Sequence, residues 1–228
     1  MEKIMVDEQW RIFRILAEFI ESIQFMANAG CSVSVFGSAR LKSGTKYYQL
    51  AEKIGRLLAE KNISVITGGG PGIMEAANKG AYKARGRKKG RSIGLNIELP
   101  YEQHPNTFLT HLKNFHYFFI RKVMFVKYAK GVIILPGGYG TMDEFFEVIT
   151  LIQTGKIKKI PVVLVGSNFW LPLIGYFRAH ILQECMIDET DMDLFTVVDT
   201  AEEAVGIMTK QIGKITGSVT DNLEYLQP

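Results

Sequence analysis

Two short runs constrain this chain most, because they are apolar at every position: Val132-Ile-Ile-Leu135 and Val162-Val-Leu-Val165. A strand with one wet face alternates apolar and polar side chains. A strand that is apolar throughout needs cover on both faces, which a parallel sheet flanked by helices supplies. Further strands are expected at Ser32–Phe36, Ile63–Thr67, Ser92–Glu98 and Phe195–Val198, with a short one at Thr107–Leu112. Helical spacing falls between them, at Tyr47–Glu60, Ile73–Ala84, Phe115–Ala129, Thr141–Thr154, Phe169–Glu184 and from Thr200 onward. Such alternation implies βαβ units. An amphipathic segment from Asp7 to Ala29, with Trp10, Phe13, Leu16, Ala17 and Ile20 at helical spacing, precedes the first strand and is expected to cover an edge of the sheet.

A chain of 228 residues suits one large α/β domain. Its net charge of +4 is too small to argue for nucleic acid, and it suits a phosphate-bearing small molecule equally well. The basic run Arg85–Arg91 reads as a solvated loop between helix and strand. Cys31 and Cys185 form no metal or redox motif and read as small hydrophobes in a reducing compartment. The first residues carry acids where a secretory signal needs bases and then an apolar run, and no stretch approaches the ~20 apolar residues of a membrane span. The expectation is a cytoplasmic protein that makes no membrane contact. His104, His111, His116 and His180 show no metal spacing, so no metal and no cofactor are expected.

Three strands end in small, glycine-bearing loops: Gly37-Ser38, Gly68–Gly72 and Gly137–Gly140. Ligands of an open parallel sheet bind beyond the carboxyl ends of its strands, where the strand order reverses. Glycine lets backbone N–H groups approach an anion, and a helix N-terminus adds a favourable dipole. The dinucleotide fingerprint fails at Ile73, where a glycine would be required, and no ATP-binding P-loop pattern is present.

Charged residues cluster near the third loop. Thr141-Met-Asp-Glu144 has the form of a capping box, in which Thr141 caps the helix and Glu144 reaches back. The same spacing suits a carboxylate set beside a phosphate loop to act on a ligand's sugar. Asp143, Glu147 and Thr150 make a polar stripe, either a solvated face or a pocket floor. Arg121-Lys122 lie in an apolar helix, either as a snorkelling surface pair or as partners of a phosphate or of Glu144.

Gly68-Gly-Gly-Pro-Gly-Ile-Met-Glu-Ala-Ala-Asn-Lys-Gly80, Arg121-Lys122 and Pro136-Gly-Gly-Tyr-Gly-Thr-Met-Asp-Glu144 together resemble the LOG (Lonely Guy) family, long labelled "possible lysine decarboxylase". The similarity runs from about Trp10 to Asp199. It implies a Rossmann-like, doubly wound parallel sheet in a single domain. Residues 1–30 would form an N-terminal helix packed on the core, 31–214 the nucleotide-binding domain and 215–228 a tail. It also implies a homodimer that hydrolyses nucleoside 5′-monophosphates, such as AMP or cytokinin nucleotides, to free base and ribose 5-phosphate. By motif, Arg121 and Glu144 would be the catalytic pair. Ser38, Gly70, Lys122, Gly137, Gly138, Tyr139, Gly140, Thr141, Met142, Asp143 and Thr150 would contact the nucleotide, and apolar positions such as Met124 would line the base pocket. A carrier or sensor of a phosphorylated ligand is the alternative on the same fold. A pyridoxal-dependent decarboxylase would need a lysine at the site, and Lys122 is the one candidate.

Overall fold

The computed structural model describes residues 2–84, 90–99 and 104–216. The chain runs α1 (Glu2–Met26), β1 (Ser32–Phe36), α2 (Lys46–Glu60), β2 (Ser64–Thr67), α3 (Ile73–Ala84), β3 (Ser92–Ile97), β4 (His111–Phe115), α4 (Phe118–Lys127), β5 (Val132–Ile134), α5 (Tyr139–Gln153), β6 (Val162–Val165), α6 (Ser167–Tyr176), β7 (Thr196–Val198) and α7 (Ala201–Thr216). The seven strands form one sheet in the order β4-β3-β2-β1-β5-β6-β7, parallel at every pairing. The order reverses between β1 and β5. Most of the basic run, residues 85–89, and residues 217–228 of the proposed tail lie outside the described residues. No helix among the described residues is long and apolar enough to cross a membrane.

The all-apolar strands are covered on both faces. Val33, Val35, Val65, Ile133, Val163 and Val165 pack in one core with α2, α3 and α7. Their neighbours Phe36, Ile66, Val132, Ile134, Val162 and Leu164 pack in a second core with α4, α5 and α6, which Ile15, Phe19 and Ile23 of α1 join. Successive side chains of a strand point to opposite faces, so one chain feeds both cores.

Three of the boundaries that differ from the pattern-based expectation do so where a distant residue supplies a partner for the backbone. The strand expected at Thr107–Leu112 begins at His111. Thr110 exchanges hydrogen bonds with Ser92, its N–H donating to the Ser92 carbonyl at 2.8 Å and its Oγ1 accepting the Ser92 N–H at 3.0 Å. The helix expected from Phe115 begins at Phe118, because Glu18 of α1 accepts the N–H groups of His116 (3.0 Å) and Tyr117 (3.1 Å). The helix expected from Phe169 begins at Ser167, whose N–H donates to Asp199 at 2.8 Å. It continues past Pro172 and winds as a π-helix over Phe177–Leu182.

The far end of α4 is also held from outside. Ser34 Oγ donates to the Phe125 carbonyl at 2.8 Å, and Ser32 Oγ to the Tyr128 carbonyl at 2.7 Å. These buried serines in a central strand answer two of the carbonyls that a helix end leaves open. Ser34→Ala is expected to leave the Phe125 carbonyl buried without this donor. The cost should be about 1–3 kcal/mol, seen as a lower urea midpoint at unchanged m-value. An unchanged midpoint would mean that these serines do not anchor α4.

Candidate active site

The loops after β1, β2 and β5 meet at the point where the strand order reverses, and Ser38 joins them. Its N–H donates to the Pro136 carbonyl at 3.0 Å, its carbonyl accepts the Ile73 N–H at 2.9 Å, and its Oγ accepts the Arg40 N–H at 3.1 Å. The junction is too tight for side chains. A Cβ on Gly137 would overlap Thr141 and stand 2.9 Å from the Ser38 nitrogen. One on Gly72, whose φ of +70° already favours glycine, would overlap the Ser38 carbonyl oxygen.

The loop Gly68–Gly72 rests on a polar network within the fold. Thr67 Oγ1 donates to Asn78 Oδ1 at 2.5 Å and accepts the Gly69 N–H at 2.9 Å, while Asn78 Nδ2 donates to Ser92 Oγ at 2.9 Å. Asn106 Nδ2 reaches the carbonyls of Gly69 (3.0 Å) and Gly70 (3.1 Å) and also Asn78 Oδ1 (3.0 Å). Thr67, Asn78 and Ser92 are buried. Sequence reasoning missed these positioning residues. The available signal was Asn78 on the apolar face of α3, since a buried amide demands partners.

The third loop opens α5. The helix starts at Tyr139, with Gly138 as its extended N-cap and no side-chain cap bond. Thr141 is therefore the third residue of the helix rather than its cap, and the capping-box reading of Thr141 and Glu144 does not hold. The N–H groups of Thr141 and Met142 both bond to the Gly138 carbonyl at 3.0 Å. Those of Tyr139 and Gly140 precede the first helical bonds and are the ones an anion can take. Gly138, Tyr139 and Gly140 are exposed, whereas Thr141 is buried.

Glu144 lies one and a half turns into α5. Only 8% of it is exposed, and its Oε2 is buried without a hydrogen-bond partner among the described residues. Burial pushes its carboxyl up to about 7; Lys122 and Arg121 oppose the shift, and Glu147 and Asp143 add to it. Arg121 and Lys122 come from α4. Arg121 Nε donates to the Leu95 carbonyl at 2.7 Å, and its guanidinium carbon lies 4.9 Å from the centre of the Phe125 ring. Burial lowers Arg121 to about 10 against the field of Glu144, so it stays charged at neutral pH. Lys122 Nζ lies 2.7 Å from Asp143 Oδ2 and 3.0 Å from Glu147 Oε2. Burial works against its charge, but those two hydrogen bonds and the fields of Glu144 and Glu147 outweigh it and hold the ammonium above its ordinary value. Neither cation is a free surface group.

Two expected positions stand apart. Thr150 is exposed and, seven residues beyond Asp143, lies about 10 Å further along the helix. Met124 is fully buried in the core and lines no open pocket. Met142 is half-buried against that core, and Gly70 is buried within the second loop.

A family described as "Possible lysine decarboxylase" matches residues 74–208. The chain belongs to that family, the LOG family. It is 35% identical over 175 residues to the cytokinin riboside 5′-monophosphate phosphoribohydrolase of Rhodococcoides fascians, covering 76% of this chain and 87% of that protein. It is 30% identical over 146 residues to the pyrimidine/purine nucleotide 5′-monophosphate nucleosidase of Escherichia coli K12, covering 60% of this chain and 32% of that protein. Among solved structures, a molybdenum cofactor binding protein from Rippkaea orientalis matches with a TM-score of 0.60 at 19% identity, covering 80% of this chain and 97% of that one, which shows the shared fold.

In this LOG-family site, a Cβ on Gly68 would overlap the tip of the Arg121 side chain and stand 2.7 Å from the Met74 sulfur. Both obstacles are ends of flexible side chains. Gly68→Ala is therefore expected to move Arg121 rather than unfold the protein: ligand affinity or turnover should fall at least ~10-fold, about 1.4 kcal/mol, with thermal stability nearly kept. Equal losses of stability and activity would oppose this account. Glu144 gives a second expectation. Its carboxyl keeps a proton to about pH 7 in the fold, against 4.5 as its ordinary value. The folded state thus binds the extra proton between those values, and the associated stability, full below pH 4.5, is lost as pH rises through 7. Glu144→Gln cannot ionise, so its stability relative to the parent should rise between pH 5 and 8 by up to about 3 kcal/mol in urea titrations. Parallel pH profiles would show that Glu144 is not held in this state.

Proposed function

We propose that this protein hydrolyses the N-glycosidic bond of nucleoside 5′-monophosphates, AMP or cytokinin-type nucleotides, to free base and ribose 5-phosphate. The observation that carries this reading is a buried carboxylate, Glu144, with one oxygen that has no hydrogen-bond partner among the described residues, on the helix whose N-terminus can hold a phosphate. Glu144 is five positions beyond Tyr139, a rise of about 7.5 Å, comparable with the reach from a 5′-phosphate to the anomeric carbon. The names of the Rhodococcoides fascians and Escherichia coli relatives support the reaction class.

In this reading the phosphate sits on the N–H groups of Gly138 to Gly140, with Thr141 beneath it and the Ser38 and Gly70 loops as the wall. Binding there fixes the sugar, so the phosphate contributes to the reaction as well as to affinity. As the C1′–N bond breaks, its electron pair leaves with the base and positive charge develops on the ribose. Ionised Glu144 stabilises that cation and orients the attacking water. The water's hydroxyl joins C1′, and its proton is passed to the base. Arg121 steadies the anionic ligand and Glu144, while Lys122, tied to Asp143 and Glu147, keeps cationic charge beside the site. Thr150 is assigned to the base end of the ligand. Lys122 is held protonated, which is the wrong state for a lysine that must attack pyridoxal phosphate. The two cysteines are both free, which suits a reducing cytoplasm, and the working unit is a homodimer.

Purified protein incubated with AMP, other monophosphates and isopentenyladenosine monophosphate should release free base. Glu144→Gln should lower kcat at least ~100-fold, about 2.7 kcal/mol in barrier. The kcat/KM of the parent should rise with pH up to about 7 and then level, as a required carboxylate ionises. Retention of more than half the turnover by Glu144→Gln would remove Glu144 from the chemistry. Tight binding of monophosphates without any base release would make the protein a carrier.

A further inference from the structure

The two cations nearest Glu144 are both held by other groups. Arg121 gives its Nε–H to the Leu95 carbonyl at 2.7 Å. Lys122 gives its ammonium to Asp143 Oδ2 at 2.7 Å and to Glu147 Oε2 at 3.0 Å. Among the described residues neither makes an ion pair with Glu144, although the fields of both reach it and that of Lys122 is the larger. For a lysine this is an unexpected choice. A buried carboxylate gains more from a direct cation than an exposed one does, because water no longer screens the charges. Glu144 lies next to Asp143 and one turn before Glu147 on α5, and helix neighbours at i, i+3 and i+4 share a face. A small rotation of the flexible lysine stem would carry its ammonium to Glu144 instead.

We propose that Glu147 is a positioning residue: it holds the Lys122 ammonium off Glu144, so that the buried carboxyl group is left unpaired. Exposure separates the two anchors of Lys122. The Asp143 side chain is 63% exposed, and an ion pair open to water is screened and weak. The Glu147 side chain is 27% exposed and its Oε2 is buried, so its pair with Lys122 is sheltered and is the stronger hold.

A pair between Lys122 and Glu144 would form in the resting protein and would have to loosen as positive charge develops on a ligand. An unpaired carboxyl group answers that charge directly, and only interactions that strengthen in the transition state speed a reaction. This purpose rests on the reaction proposed above; the hold on Lys122 does not. Glu144 is faced by Arg121 and Lys122 from α4 and by Asp143 and Glu147 from its own helix, while the second loop beside Arg121 presents Gly68 and the Met74 sulfur. The ionisation of Glu144 therefore reports where the Lys122 ammonium lies.

The test reads that ionisation in the full chain, without ligand, by carbon NMR of protein labelled at the glutamate carboxyls. The Glu144 signal is the one that Glu144→Gln removes, and in the parent it should titrate near 7. Glu147→Gln takes away a negative neighbour and frees Lys122 to move to Glu144. Both changes favour the carboxylate, so the midpoint should fall by at least about 1 pH unit. Asp143→Asn removes a charge of the same sign but leaves Lys122 with Glu147, and it should lower the midpoint by less than about half as much. Lys122→Met separates the field of Glu147 from its hold on the lysine: in that background Glu147→Gln should shift the midpoint by no more than about half of its shift in the parent. The proposal is overturned if Glu147→Gln leaves the midpoint unchanged, if Asp143→Asn lowers it equally, or if the effect of Glu147→Gln is the same with and without Lys122. Should Lys122→Met fail to fold, the comparison of Glu147→Gln with Asp143→Asn decides. The titration needs no turnover, so failure to cleave any monophosphate would overturn the reaction and leave this measurement in force.

Discussion

The hydrogen-bonded pairing of β1 with β5 in the middle of the sheet is the constraint on which the rest depends. The register Ser34↔Val132, Val35↔Ile133 and Phe36↔Ile134 brings together two strands that stand far apart in sequence, and the chain leaves them in opposite directions across the sheet. The loops that follow must therefore part, and the gap between them is where a ligand can enter. Ser38 closes the bottom of that gap by bonding to the loops on both sides. Glycine at 72 and 137 is a consequence of this closeness.

The second requirement is to bring α4 against α5, because the cations lie on one helix and the carboxylates on the other. Helix α4 has ten residues and no side-chain cap of its own. Its ends are satisfied by Glu18 from α1 and by Ser32 and Ser34 from β1. A short helix held in this way is positioned by the fold more than by its own propensity. The result is a compact charge arrangement in which Lys122 takes two carboxylates, Arg121 is anchored to the Leu95 carbonyl, and Glu144 keeps one oxygen without a hydrogen-bond partner among the described residues. An unsatisfied buried carboxyl is costly, and sites of that kind concentrate where charge must develop during a reaction.

The same arrangement separates the two meanings of Thr141-Met-Asp-Glu144. Spacing alone fits a capping box and a catalytic carboxylate equally. Gly138 excludes the first. Because this glycine adopts the extended conformation of the cap, the helix starts two residues earlier than Thr141, and Glu144 falls too deep in the helix to reach back to its start. Burial then does the rest by raising its affinity for a proton.

By itself the sequence determined the α/β class, the alternation of elements and the three glycine loops. These are written in local chemistry: side-chain period, all-apolar strands and backbone tolerance at glycine. It also carried the family motif, and with it Arg121 and Glu144. Only the tertiary structure decided which loops meet, that Asn78 and Asn106 brace the second loop, and that Met124 is core. Those outcomes hang on hydrogen bonds such as Asn106 to Gly70 and Glu18 to His116, which span 36 and 98 residues of chain. No local pattern encodes such pairings, because each partner alone looks like an ordinary polar residue until the sheet brings the two together.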